Sequence, residues 1–135
     1  MTTTKPFVLV LRGVLQDADG RFLLMQRAAS CKGWPGKWEF PGGKVGRGEE
    51  IGQALVREWQ EETGLDIGVD HFVDAFEWER ENDRILYMVF RVKSISSNMV
   101  VRSAEHDAFG WFDHQAMRAL DISPALNRVV ELLCA

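Results

Sequence analysis

Cysteine is scarce: Cys31 and Cys134 are the two in 135 residues, and they form neither a CxxC pair nor a zinc-ligand spacing. A chain of this length buries enough surface to dispense with disulfide staples, so both are expected as free thiols. Long apolar runs are missing as well. The stretch Phe7-Val8-Leu9-Val10-Leu11 ends at Arg12 after five residues, short of the ~7–15 of a signal-peptide core or the ~20 of a spanning helix. A cytoplasmic location without membrane partners is therefore expected. Positive charge is not in excess, with 16 Lys and Arg against 20 Asp and Glu, net −4, which argues against a general nucleic-acid binder and its basic stripe. Neither GxxxxGK[ST] nor GxGxxG occurs, and no Ser/His/Asp nucleophile signature is present. Repeats, linkers and low-complexity segments are absent too, so residues 1–135 are expected to form a single domain.

Chemistry-bearing residues are concentrated between Gly42 and Leu65. Glu58, Glu61 and Glu62 stand at i, i+3 and i+4, which on a helix makes them neighbours with Cβ atoms roughly 5–6 Å apart. Their repulsion costs about 0.2–0.5 kcal/mol per pair on a bare helix, and Arg57 alone is close in sequence to offset it. A hard divalent cation would do so, since Mg²⁺ is held by a few carboxylates together with substrate phosphates. Gly42-Gly43 just upstream allows backbone to approach an anion or metal closely. The residues thus point to a metal-dependent phosphate site.

The surrounding pattern predicts a buried strand over 7–15, a turn at Asp17-Ala18-Asp19-Gly20 and a returning strand from Arg21 to Arg27. A loop with Gly33, Pro35 and Gly36 leads to a short strand at Lys37–Phe40 and then the glycine turn. A helix is predicted from about Glu49 to Thr63, capped by Gly64, with Gly52, Leu55, Val56 and Trp59 as its apolar side and Ile51 at the edge beside Glu58 and Glu62. Phe72–Glu79 and Ile85–Lys93 flank Glu81-Asn82-Asp83 as a second hairpin, followed by a polar loop over 94–98. A strand at Phe109–Phe112, a helix near Asp113–Leu120 and a last helix with Ser123 as N-cap and Pro124 in its first turn complete the chain. Hairpins mixed with helices imply helices packed on a mixed sheet, with the topology open.

Gly43, Glu49, Arg57, Glu58, Glu61, Glu62, Gly64 and Leu65 stand at the spacings of G-x5-E-x7-R-E-U-x-E-E-x-G-U, where U is bulky and apolar. The stretch resembles the Nudix box, the signature of the Nudix hydrolase family; a chance match has odds on the order of 10⁻⁷ at average residue usage. Trp59 takes the first U position, where an aliphatic residue is more usual. Trp38-Glu39-Phe40-Pro41-Gly42-Gly43-Lys44 is similar to the WEFPGGK segment of MutT-like members, although Gly46 stands where those often carry Glu.

The resemblance implies an α/β Nudix fold, an α/β/α sandwich with a mixed central sheet and the box as loop–helix–loop. It implies Mg²⁺ (with Mn²⁺ as substitute) held by Glu58, Glu61, Glu62 and the carbonyl of Gly42. Glu58, Glu61 and Glu105 are the catalytic candidates, with the general base unassigned among them. Glu49 and Arg57 are expected to orient the loop and the other glutamates, with direct substrate contact by Arg57 the lesser reading. Arg27, Lys44 and Trp38, with Trp34 nearby, are the substrate-binding candidates, Trp38 being equally a candidate for strand core, while His71, His106 and His114 are expected at the surface as bystanders. Where some MutT-type enzymes present Asn to a purine edge this chain has Leu126, with Asn127 beside it. The implied partner is a small nucleotide handled by a monomer or homodimer. The implied reaction converts a nucleoside triphosphate to monophosphate and pyrophosphate, in the manner of nucleotide-pool sanitising. ADP-ribose or dinucleoside polyphosphate hydrolysis stays open, as does a non-catalytic nucleotide-binding module, although no box glutamate is lost.

Overall fold

The computed structural model of the chain describes residues 5–95, 99–101 and 103–135. Strands β1 (Phe7–Val14), β4 (Gly42–Lys44), β5 (Ile67–Glu79) and β6 (Arg84–Ser94) form one sheet in the order β4-β1-β6-β5. The pairing of β1 with β6 is parallel and the others are antiparallel, so this sheet is mixed. A second, antiparallel sheet has the order β3-β2-β7, from β2 (Phe22–Arg27), β3 (Trp38–Glu39) and β7 (His106–Phe112). Helix α1 (Ile51–Thr63) lies on one side of the strands; α2 (His114–Arg118) and α3 (Asn127–Leu133) lie on the other, the last entered through a 3-10 turn at Pro124–Leu126.

Alternation along the strands creates these layers, because successive side chains leave opposite faces. Leu11, Leu15 and Leu23 pack with Ala54, Leu55 and Trp59 of α1. Their neighbours Val10, Val14, Phe22 and Leu24 pack instead with Met117, Leu126 and Val129. Both sheets feed both clusters, giving an α/β/α sandwich. Along β6, Ile85, Tyr87 and Val89 are buried in the second cluster while Met88 and Phe90 rest against the first, as the two apolar parities of that strand require.

Several elements differ from the sequence expectation. Gly42-Gly43 is strand rather than turn, with Gly43 opposite Leu11 and Gly42 opposite Arg12; two glycines carry no strand propensity, and the pairing is imposed by β1. Strand β5 begins at Ile67, five residues before Phe72, because irregularities between Val69 and His71 and between Phe72 and Asp74 interrupt its alternation. Strand β7 begins at His106. Of the polar loop expected over 94–98, Ser94 ends β6 and residues 96–98 lie outside the described residues. Asp113 caps α2, accepting from the Ala116 N–H at 2.8 Å, and Ser123 precedes the 3-10 turn without a side-chain cap. Cys31 and Cys134 are free. No helix among the described residues is long and apolar enough to cross a membrane.

Helix α1 is made of good helix formers (Ala, Leu, Arg, Glu, Gln) and stops at Gly64, whose φ of 75° and N–H to the Gln60 carbonyl form a left-handed cap. Its buried face is Ala54, Leu55, Trp59, Glu62 and Thr63, whereas Gly52 and Val56 face outward. The helix is thus turned from the expected apolar side toward Trp59, which is fully buried over Gly13. The Trp59 indole N–H donates to the Pro41 carbonyl at 3.0 Å, and the Gly13 N–H reaches the same oxygen at 2.9 Å. A Cβ on Gly13 would overlap the indole nitrogen. Gly13→Ala is therefore expected to cost about 1–3 kcal/mol through overpacking; a denaturant midpoint equal to that of the parent would refute this packing.

Candidate active site

A cleft of about 960 Å³ is lined by Gly42, Gly43 and Lys44 of β4 and by Glu58, Glu61 and Glu62 of α1. Arg27, Gly33, Trp34, Ser103 and Glu105 line it as well, and its apolar lining includes Val8, Val10, Trp78 and Ile85. The tight β4–α1 contact places Glu58 here: a Cβ on Gly43 would overlap its carboxyl group, so glycine is what lets the carboxylate lie against the strand.

Arg57 is the tie of the glutamate wall. Its guanidinium grips Glu49 with Nε at 2.7 Å and Nη2 at 3.0 Å. Nη1 reaches Glu58 at 3.0 Å and Glu61 at 3.1 Å, and Nη2 also donates to the Lys44 carbonyl. Glu49 in turn accepts from the Gly46 N–H at 2.8 Å. Hydrogen bonding from Arg57 holds the Glu49 carboxyl below its ordinary range, and the same bonds, Glu49 first, make Arg57 still more basic. Loop, helix and β4 are thereby joined through one side chain; Glu62 is left out of that grip.

Glu62 is instead drawn inward, 7% exposed, accepting a long 3.4 Å bond from the Gly42 N–H. Burial is the main reason its carboxyl is pushed up to about 8; Glu39 and Glu58 add to this and Arg12 opposes it. Glu58, half buried, is raised in the same direction, again chiefly by burial. As they stand, no three His, Cys, Asp or Glu side chains among the described residues are close enough together to hold an ion, because Arg57 keeps Glu61 outward and Glu62 faces Gly42. The chemistry nonetheless fits a hard cation: these are oxygen donors, and two carboxyls whose ionisation is suppressed where they stand would be relieved by a divalent charge.

The Glu62 shift carries a pH signature. A carboxyl whose folded pKa lies above its unfolded value stabilises the fold fully below pH ~4.5, and that contribution is lost as pH rises through about 8. In chelator, the melting temperature is expected to fall from pH 5 to 9, with a free-energy change on the order of a few kcal/mol. Glu62→Gln should remove most of that fall, and an unchanged slope in the variant would sink the assignment.

Beside the glutamates the fold assembles a charged cluster that sequence reasoning missed. Glu39 is 2% exposed yet accepts from Arg27 at 3.3 Å and His106 at 3.1 Å, with Arg12 at 3.5 Å. Burial alone would raise this carboxyl, but Arg12, His106 and Arg27 together outweigh it and bring it to about 2. His106, expected at the surface, is 2% exposed and its Nδ1 lies 3.0 Å from the Ser103 hydroxyl. Nothing near His106 in sequence announces a partner 67 residues away; the pairing follows from β7 and β3 flanking β2. Arg27 also donates from Nε to the Gly33 carbonyl at 2.6 Å, which fixes it on the cleft wall.

The aromatic assignment changes too. Trp38 is outside the cleft lining, its ring edge-on to Phe112 at 5.1 Å and packed on the core. Strand β3 sends Glu39 toward the charged cluster, and alternation sends Trp38 the other way. The cleft's indoles are Trp34 and Trp78, 5.8 Å apart and edge-on. Trp34 has φ of 45°, a left-handed conformation rare for a large side chain. Lys44 and Glu105 both border the cleft and are exposed. Leu126 is buried in the core and meets no ligand-accessible surface.

A family model described as NUDIX domain matches residues 7–133. The chain is 33% identical over 119 residues to a CTP pyrophosphohydrolase of Escherichia coli K12, covering 88% of this chain and 86% of that protein. It is 28% identical over 129 residues to an 8-oxo-dGTP diphosphatase of Haemophilus influenzae, covering 96% and 93%. The crystal structure of a MutT protein from Methanosarcina mazei superimposes with a TM-score of 0.86 at 23% identity, covering 98% and 96% of the two chains, and so shares the fold. Box, fold and relatives agree: the chain belongs to the Nudix hydrolase family and is a pyrophosphohydrolase.

Proposed function

We propose that this enzyme hydrolyses a nucleoside triphosphate to the monophosphate and pyrophosphate. The observation that carries this reading is the polarity of the cleft. The lining combines two kinds of surface, Glu58, Glu61, Glu62 and the Gly42-Gly43 backbone being the first and Trp34 and Trp78 with Val8, Val10 and Ile85 the second. A phosphate chain suits the first and a base the second, since base–aromatic stacking contributes about 1–3 kcal/mol. Two relatives named for CTP and 8-oxo-dGTP point to the same substrate class.

Glu58, Glu61, Glu62 and the Gly42 carbonyl would hold Mg²⁺ or Mn²⁺. Bound there, the cation would neutralise phosphate oxygens and lower the pKa of a bound water. Arg57 sets the positions of Glu58 and Glu61, and Glu49 anchors Arg57 to the loop. Arg27 and Lys44 balance phosphate charge from opposite sides. A carboxylate among Glu58, Glu61 and Glu105 takes the proton from the attacking water; water oxygen bonds to phosphorus, the anhydride oxygen leaves with the pyrophosphate, and the charge it gains is met by the cationic groups. Leu126 offers no hydrogen bond to a purine edge, so discrimination for oxidised guanine has no support from that position.

A panel of ordinary, oxidised and pyrimidine nucleoside triphosphates, with ADP-ribose and a dinucleoside tetraphosphate, tests the reading in Mg²⁺. Monophosphate and pyrophosphate should be released from a triphosphate, with KM lower than for the other two classes. Cleavage of ADP-ribose or the dinucleotide alone would reassign the substrate, and no cleavage with retained nucleotide binding would favour a sensor module.

A further inference from the structure

Arg12 entered the sequence reading as the residue that ends an apolar run, yet in the fold it lines the cleft. It sits within β1 opposite Gly42, is 8% exposed, and borders the same space as Gly43 and Glu62. A guanidinium carries five N–H donors, and a buried one that serves only the fold has them satisfied within the fold. Here Nη1 donates to the Phe40 carbonyl at 3.2 Å, Nη2 lies 3.5 Å from Glu39, and Nε is buried with no hydrogen-bond partner among the described residues. Charge-assisted bonds normally run about 2.7–2.9 Å, so the Glu39 contact is loose. Glu39 is moreover divided, since it accepts from Arg27 at 3.3 Å and His106 at 3.1 Å. Glu62 and Glu58 also act on Arg12 through charge, but Glu62 takes its hydrogen bond from Gly42 and Glu58 takes one from Arg57. Arg12 is therefore a desolvated cation held in place by weak contacts, and its two terminal nitrogens carry N–H groups beyond those contacts in a residue that lines the cleft.

We propose that Arg12 is a phosphate-binding residue of this site, acting with Arg27 as a pair of guanidiniums that share Glu39 as their common anchor. The proposal rests on the polyphosphate reading of the cleft but not on the identity of the base. The planar fork of Arg12 takes phosphate oxygens from below, while the carboxylate wall and its cation hold them from the side.

Tripolyphosphate, which has no base, separates this idea from the substrate assignment. Calorimetric titration in saturating Mg²⁺ is run on the parent, Arg12→Met and Arg12→Lys, with Mn²⁺ binding in the absence of phosphate as the second measurement. Arg12→Met keeps the side-chain volume and leaves Glu39 paired with Arg27 and His106. It should weaken tripolyphosphate by at least about tenfold, the size expected for lost charged hydrogen bonds, with Mn²⁺ binding equal or tighter. Arg12→Lys should recover part of the loss. A folded Arg12→Met protein that binds tripolyphosphate within about twofold of the parent would overturn the proposal, as would a parent that does not bind it. Should Arg12→Met fail to fold, Arg12→Lys decides, and parental affinity there is the overturning result. An inactive nucleotide panel beside a normal Arg12 effect would condemn the triphosphate reading alone.

Discussion

A Glu58→Gln enzyme is expected to fold normally and to lose roughly 10²–10⁴-fold in kcat, the range for removing a general base or its equivalent. Glutamine preserves the shape that Gly43 accommodates and can still accept from Arg57, so the packing of β4 on α1 survives. It loses the anionic oxygen that the proposed reaction uses as cation ligand and as candidate proton acceptor. The Glu58 carboxyl is raised by burial, which brings it toward the pH at which a base works well. Thermal melts beside steady-state kinetics check the two halves of this expectation. A stable variant with parental kcat would remove Glu58 from the chemistry and leave Glu61 or Glu105 to carry it.

Glu39→Ala is expected to have the largest effect on stability, about 3 kcal/mol. Breaking a buried pair from one side costs roughly 3–5 kcal/mol because the partner's charge is stranded. Arg12 would be the stranded group, with Arg27 and His106 losing an acceptor as well. The lower end of the range applies because Glu62, whose ionisation is already favoured by Arg12, can release its proton and supply a replacement anion. Denaturant unfolding measures the loss, and a cost under about 1 kcal/mol would show that the cluster carries little of the fold's stability. The parent should also lose stability in acid. With the Glu39 carboxyl at about 2 in the fold against an ordinary 4.5, its contribution is complete above pH ~4.5 and disappears as pH falls through about 2.

These two glutamates differ in how visible they were. Glu58 stands in a local pattern whose i, i+3, i+4 spacing has a meaning on any helix, so its neighbours are known once α1 is known. Glu39 sits in a two-residue strand between a loop and a glycine pair, and its partners come from β1, β2 and β7. No periodicity reports a contact between residues 27 and 67 positions apart. The same limit explains Trp38 and Trp34. Both indoles lay near the motif, and only the alternation of β3 decided that Glu39 points to the charged cluster while Trp38 joins the core.

Helix α1 shows the boundary within one element. Its extent to Thr63 and its glycine cap follow from local propensity and backbone conformation, and both were foreseeable. Its rotation did not follow, because a wheel ranks Glu62 as polar and cannot register that Arg12 and the Gly42 N–H await it inside.

By itself the amino-acid order determined the family box, the carboxylate cluster on α1 and most of the helices and longer strands. These depend on neighbours a few residues apart, where backbone geometry alone sets the distances. Pairing of strands across the chain decided the rest: which arginines border the cleft, which indoles line it, and which carboxyls lose water. Burial and long-range charge are properties of the assembled layers, and they are what raise Glu62 and lower Glu39, while strand pairing sets Arg12 in the lining of the cleft.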